Sequence, residues 1–95
     1  MTDYDSKIIR RKIRVSGSVQ GVGFRYRMEY ASSMVGTTGW VRNELDGSVL
    51  LEIQGTEEQI DKVFIMVSQG TYVNIENMNV ETIPLLEDEY GFRIK

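Results

Sequence analysis

Gly17, Gly21 and Gly23 fall within the stretch Gly17-Ser18-Val19-Gln20-Gly21-Val22-Gly23, and Phe24-Arg25 follows directly. Residues of these types at this spacing suit the binding of an anion. Glycine has no Cβ, so the backbone turns tightly and presents successive N–H groups inward. An apolar strand pattern leads in and a helical pattern leads out. The helix start adds unpaired N–H groups and the positive end of a dipole to the same place. Arg25 supplies a fixed charge, and its planar guanidinium meets two oxygens of a phosphate or carboxylate at once, which lysine does not reproduce. The candidate cradle is therefore the backbone N–H groups of Ser18, Val19, Gln20, Gly21, Val22 and Gly23, completed by Arg25. The stretch lacks the Lys-Ser/Thr ending of a nucleotide-triphosphate loop, and its glycines do not fit G-x-G-x-x-G. A glycine-rich connection followed by an unrelated arginine is the plainer account of the same residues.

The composition narrows what such a cradle serves. The 95 residues, 41% hydrophobic and 26% charged, suit one soluble globular domain with a single core. Cysteine and histidine are both absent. That double absence excludes Ser-His and Cys-His catalysis, a disulfide framework and a zinc site of the usual nitrogen and sulfur ligands. The formal net charge of −3 argues against nucleic acid as a partner. Lys7, Arg10, Arg11, Lys12 and Arg14 form a local exception, read as the solvated face of a strand rather than a binding patch. The longest uninterrupted apolar run is Val63 to Val67, too short for a membrane span, and the first residues lack the apolar core of a secretory signal. A cytoplasmic location, with no membrane partner, is the expectation.

The elements that must position the cradle follow from periodicity. Residues 1–6 read as a flexible tail and residues 7–95 as one domain. From Lys7 to Ser16, Ile9, Ile13 and Val15 alternate with Arg10, Lys12 and Arg14, which predicts a strand; Arg11 shares the apolar face near the strand's start and reaches past its edge. Phe24, Met28, Ala31 and Val35 form a helical stripe that Gly36 stops. Gly39 to Asn43 and Ser48 to Gly55 predict two strands joined at Asp46-Gly47, with Trp40 as core or a wall of the site. Thr56 and Gln59 make a capping box ahead of Ile60, Val63, Phe64 and Val67, and this second helix should end near Gly70. Val73 and Ile75 alternate in one phase and Met78 and Val80 in the other, so a bulge or bend lies between them. Pro84 ends that strand, and Phe92 to Ile94 read as a brief final one.

The order strand, helix, strand, strand, helix, strand, with a short extra C-terminal strand, predicts an α+β ferredoxin-like sandwich. Its antiparallel sheet carries both helices on one face. A right-handed strand-helix-strand unit makes the first two strands parallel, so their C-terminal ends share one edge. The glycine loop and Asn43 should therefore be neighbours.

Those residues carry a resemblance. Gly17-Ser18-Val19-Gln20-Gly21-Val22-Gly23-Phe24-Arg25 and Gly39-Trp40-Val41-Arg42-Asn43, followed by Asp46-Gly47-Ser48-Val49 and Gln54-Gly55, resemble both signature segments of the acylphosphatase family. The resemblance covers nearly the whole domain. It implies a small ferredoxin-like hydrolase of the carboxyl-phosphate bond, with sheet order 4-1-3-2 and a short extra strand beside strand two. It further implies that Arg25 is the phosphate-binding arginine and Asn43 the residue that orients the attacking water. Two departures are visible: Thr37 stands where the family often has an apolar residue, and Val67-Ser68-Gln69-Gly70-Thr71 replaces a Trp-x-x-Gly-Pro-like end to helix two.

The implied chemistry agrees with the composition. An acyl phosphate leaves as a carboxylate, whose conjugate acid has a pKa of roughly 4, so no general acid is needed. N–H donors and one arginine stabilise the charge on the transferring phosphoryl group, and a phosphate oxygen takes the water's proton. On this reading no metal or organic cofactor takes part. The partner is a small acyl phosphate, inorganic phosphate is product and competitive inhibitor, and the enzyme is a monomer. Glu44, Asp46, Glu57 and Glu58 sit where turns and helix starts favour acids and are assigned no catalysis. The alternative is a non-catalytic phosphate-binding or anion-binding regulatory module of the same fold. Single-stranded RNA binding on the sheet is a weaker one, opposed by the acidic balance.

Overall fold

A computed structural model of the chain describes residues 7–69 and 73–95. Seven elements follow one another: β1 (Ile8–Ser18), α1 (Phe24–Val35), β2 (Thr38–Asn43), β3 (Val49–Thr56), α2 (Glu57–Ser68), β4 (Asn74–Ile83) and β5 (Phe92–Ile94). They build a five-stranded sheet in the order β4-β1-β3-β2-β5, with both helices packed on one face. This is the expected ferredoxin-like arrangement with one correction. The four main strands are antiparallel to their neighbours, but β5 pairs parallel to β2, through Gly39 with Phe92 and Val41 with Ile94. The sheet is therefore mixed. Residues 84–91 carry the chain from the β4 edge across to the far edge, where it arrives running in the β2 direction.

Side-chain alternation decides which face is covered. Ile13 and Val15 of β1, Val49, Leu51 and Ile53 of β3, and Val41 of β2 lie on the helix-bearing face, all essentially buried. Phe24, Met28 and Ala31 of α1 and Ile60, Val63 and Val67 of α2 close the core over them. Burial of each larger side chain contributes about 1.5–3 kcal/mol. The helix ends match their residue chemistry. Gly36 caps α1 in the left-handed conformation and donates to the Ser32 carbonyl. The capping box at α2 is formed: the Gln59 N–H donates to Thr56 Oγ1 (3.1 Å), and the Thr56 N–H donates to Gln59 Oε1 (2.9 Å). Helix α2 ends at Ser68, while Gly70 and Thr71 lie outside the described residues, as does the proposed tail of residues 1–6.

The phase switch in β4 is a bulge. Gly17 opposes Ile75 and Ser16 opposes Asn77, which leaves Glu76 as the extra residue. The insertion returns Met78 and Val80 to the face already used by Ile75. Gly17 is required there: its φ is +125°, and a Cβ would lie 2.2 Å from the Asn74 carbonyl oxygen. The Thr37 departure also has a local consequence, since its hydroxyl is buried with no hydrogen-bond partner among the described residues, as is that of Ser32.

The expectation for Arg10 is overturned. It does not lie on a solvated face but is only 2% exposed. Its guanidinium donates from Nε to Glu52 Oε1 (2.9 Å), from Nη1 to Gln54 Oε1 (3.1 Å), and from both Nη atoms to the two Glu89 oxygens (2.7 and 3.1 Å). Gln54 also exchanges two hydrogen bonds with the Leu86 backbone. The segment between β4 and β5 is thus strapped over the helix-free face, at the end where β1 and β2 begin. Arg11, on the helix-bearing face, reaches the start of α2 and pairs with Glu57 at 3.3 Å.

Burial pushes the Glu89 carboxyl up, but hydrogen bonds from Arg10 and Thr38 and the positive charge of Arg10 outweigh it and hold the carboxyl below its ordinary value of 4.5. A lowered carboxyl stabilises the fold above its unfolded pKa and loses that contribution as pH falls through the folded one. Glu89→Gln should therefore cost about 3 kcal/mol at pH 7, because it leaves Arg10 buried without its bidentate partner. The gap between variant and wild type should narrow as pH falls below about 4.5. Urea unfolding of both proteins across pH 3–7 checks this.

Candidate functional site

β1 and β2 are both antiparallel to β3 and hence parallel to each other, so their C-terminal ends share one edge of the sheet. Asn43 is the last residue of β2 and opposes Val49, which itself opposes Val15 of β1. Residues opposed in antiparallel pairs share a face. Asn43 therefore projects on the helix-bearing side, the side of α1 and the loop that precedes it. The predicted convergence of the glycine loop and Asn43 on one edge is present.

A side chain from the loop itself fixes that proximity. Gln20 donates through Nε2 to the carbonyls of Glu44 and Ser48, at 2.8 Å each. These two residues flank the β2–β3 turn immediately after Asn43. The turn is tight on its own account: the Glu44 N–H donates to the Ser48 carbonyl (2.9 Å), the Gly47 N–H to the Glu44 carbonyl (3.2 Å), and Gly47 is left-handed at φ +93°. Asp46 accepts from the Ser48 backbone N–H (2.9 Å) and hydroxyl (2.6 Å), and these bonds hold its carboxyl below the usual range. Asp46-Gly47 thus closes a hairpin with a three-residue loop, Leu45 to Gly47, in which Gly47 alone takes a positive φ.

Residues 20–23 form the turn between β1 and α1, while Ser18 is still in β1 opposite Asn74 and Val19 is buried as the loop's anchor. Gly21 and Gly23 are left-handed, at φ +77° and +83°, and a Cβ on either would meet nothing within 4 Å. Backbone conformation, not crowding, calls for glycine at both. Such turns gather N–H groups into a concavity. The amides of Gly21, Val22 and Gly23 have no acceptor among the described residues.

The two helix starts differ electrostatically. α2 has its capping box and two acids, Glu57 and Glu58, in its first turn. α1, whose N-cap is Gly23, has no side-chain cap and no acid in its first turn, and carries Arg25 there instead. A cation at this end of a helix is opposed by the dipole unless an anion joins it. Arg10, Arg11, Arg14 and Arg42 all pair with carboxylates, whereas Arg25, Arg27 and Arg93 have no salt bridge among the described residues, and of the two on α1 Arg25 is half-buried and Arg27 exposed.

Trp40 is buried, the first of its two expected roles. It opposes Glu52 and Arg93, on the opposite face of β2 from Asn43, and Arg42 and Lys95 stack over its ring at 5.2 and 4.4 Å. It is therefore not a wall of the site. Of the acids assigned no catalysis, Glu44 pairs with Arg42 at 2.8 Å and Glu57 with Arg11.

The sequence model of the family described as acylphosphatase matches residues 11–94. The chain belongs to the acylphosphatase family. An acylphosphatase of Oceanobacillus iheyensis is 42% identical over 86 residues, which cover 88% of this chain and 94% of the relative. The crystal structure of acylphosphatase from Bacillus subtilis superposes with a TM-score of 0.81 at 31% identity, covering 92% of this chain and 98% of that one. An acylphosphatase structure from Coxiella burnetii gives 0.80 at 31% identity over the full length of both chains. The chain is accordingly an enzyme of the acylphosphatase class, a hydrolase of acid anhydrides.

The reach of the Gln20 side chain escaped the sequence reading. Gln20 was assigned only a backbone N–H, because nothing local says where its side chain reaches. The one available signal is that a long amide side chain in a glycine-rich loop needs partners if it is not exposed. Gln20→Ala keeps the backbone N–H but removes both bonds to the β2–β3 turn. It should lower stability by about 1–2 kcal/mol and kcat by about tenfold, since the loop and Asn43 lose their fixed relation. Urea unfolding and steady-state kinetics measure the two effects, and an unaltered kcat would deny Gln20 a positioning role.

Proposed function

We propose that the backbone N–H groups of residues 18–23 and the Arg25 guanidinium bind the phosphoryl group of a small acyl phosphate, and that Asn43 orients the attacking water. The observation that supports this reading is the positive site at the start of α1, where the Gly21, Val22 and Gly23 amides and Arg25 have no partner among the described residues. Asn43 stands at the same sheet edge, held near the loop by Gln20.

In this mechanism the water oxygen attacks phosphorus and the bond from phosphorus to the acyl oxygen breaks. The acyl group leaves as a carboxylate, a weak base with a conjugate acid near pKa 4 in the manner of aspartic and glutamic side chains, so no acid need protonate it. Charge spreads over the equatorial phosphoryl oxygens, where N–H donors and a guanidinium act without reorganising. The side-chain amide of Asn43 holds the water in line. The water's proton passes to a phosphate oxygen of the substrate, which suits a chain without histidine. No step is routed through a metal or cofactor. Inorganic phosphate, as the product, competes for the same cradle. A monomeric cytoplasmic enzyme acting on diffusible acyl phosphates completes the proposal.

The test is hydrolysis of an aromatic acyl phosphate by the purified chain in the presence of chelator. Arg25→Lys should reduce kcat/KM by about two to three orders of magnitude, the scale of losing an oxyanion donor. Near-wild-type turnover in that variant would remove Arg25 from the mechanism. Asn43→Ala should lower kcat with little change in the inhibition constant of inorganic phosphate, because its partner is water. A large loss of phosphate affinity would instead place Asn43 in the cradle.

A further inference from the structure

On the helix-free face, Arg14 of β1 reaches along the sheet to the β2–β3 turn rather than straight into solvent. It opposes Leu50 of β3, and Ser48 lies two residues nearer the turn on the same face. The Arg14 Nη1 donates to the buried Ser48 hydroxyl at 2.9 Å. The same nitrogen lies 3.8 Å from Glu44 Oε1 and 4.0 Å from Asp46 Oδ2. Ser48 Oγ donates in turn to Asp46 Oδ1 at 2.6 Å, and Arg42 Nε donates to Glu44 Oε2 at 2.8 Å. Two guanidiniums and two carboxylates thus enclose the turn that follows Asn43, and one nitrogen of Arg14 joins Glu44, Asp46 and Ser48.

We infer that Arg14 is a positioning residue for the hydrolysis: it holds the β2–β3 turn so that Asn43 keeps the attacking water in line. The inference rests on the assignment of the water to Asn43 above. Arg42 and Glu44 bracket Asn43 in the chain, and their ion pair closes on the face opposite to its side chain. That pair ties the two neighbours of Asn43 only to each other. Arg14 belongs to β1, inside the sheet between β4 and β3, so its bond to Ser48 anchors the turn to rigid backbone. Gln20 grips the same residue from the cradle loop, and Ser48 is therefore held at both its hydroxyl and its carbonyl. Without Arg14, the Glu44 and Asp46 carboxylates gathered about its Nη1 repel each other across the turn. A misplacement of about 1 Å at a reacting centre can cost about a hundredfold in rate, so even a partial loosening registers in kcat. Among the described residues Arg14 makes these contacts through Nη1 alone, so lysine can supply them; the bidentate demand placed on Arg25 does not apply.

The experiment measures kcat for an aromatic acyl phosphate and the inhibition constant of inorganic phosphate, with the folded fraction of each protein fixed by urea unfolding. The full chain carries Arg14→Met, Arg14→Lys, Ser48→Ala or Asn43→Ala, and Arg14→Met is also combined with Asn43→Ala. Methionine keeps an apolar stem beside Leu50 and removes the donor and the charge. Arg14→Met should lower kcat about five- to tenfold and leave the phosphate constant within about twofold, since the cradle amides lie outside the turn. Arg14→Lys should stay within about twofold of wild type in both quantities. Ser48→Ala deletes only the acceptor hydroxyl and should reproduce the kcat loss, which keeps the inference testable if Arg14→Met does not fold. In the Asn43→Ala background, Arg14→Met should change kcat by less than about twofold, because residues that act through one another are not additive. A purely structural role gives the same loss in both backgrounds, and that result overturns the inference. So does a wild-type kcat in Arg14→Met or Ser48→Ala while Asn43→Ala is slow. Failure of the water assignment has a separate signature, full kcat in Asn43→Ala, which removes the assignment and this inference together.

Discussion

The two hydrogen bonds from Gln20 to the Glu44 and Ser48 carbonyls are the contact on which the rest of the site depends. The right-handed β1-α1-β2 unit brings two chain segments to one edge of the sheet, but a shared edge fixes position only coarsely. A loop of glycines has many conformations, and a hairpin tip beside it moves independently unless something ties the two. Gln20 ties them through backbone atoms on both sides of the turn that follows Asn43. Its 2.8 Å bonds also satisfy carbonyls of that turn, so the same contact that orders the site stabilises the hairpin.

Around that tie the molecule separates stability from chemistry. The strap of residues 84–91, held by Arg10, Gln54 and Glu89, covers the helix-free face at the end of the sheet where β1 and β2 begin. The cradle and Asn43 occupy the other end. The Arg10 and Glu89 charges at the strap are paired and buried. The start of α1 has the opposite character, with an arginine and unpartnered amides concentrated where no carboxylate is supplied among the described residues. An unbalanced positive site of this kind is costly in a resting protein and useful only if an anion arrives to balance it.

Much of this was legible in the residues. The four-three-four spacing of Phe24, Met28, Ala31 and Val35 located α1 to the residue, Thr56 and Gln59 located the start of α2, and the shift of phase placed a bulge between Ile75 and Met78, where the structure has it at Glu76. These are local signals, each set by backbone periodicity or capping chemistry. What escaped was non-local. Alternation placed Arg10 correctly on the helix-free face, yet its burial depends on a strap more than seventy residues away along the chain. The parallel β5 pairing and the reach of Gln20 likewise depend on where distant backbone passes. The unpaired state of Arg25 belongs with them, because pairing is a property of the folded neighbourhood.

The most direct measurement is a titration of the isotopically labelled chain with inorganic phosphate in chelator, followed by backbone amide and arginine side-chain resonances. If the start of α1 is the anion site, the shifts centre on the amides of residues 18–24 and the Arg25 Nε, and Arg25→Ala weakens them without moving them. Shifts centred instead on the Lys12, Arg14 and Arg42 face of the sheet, or an undisturbed glycine loop at saturating phosphate, would contradict it.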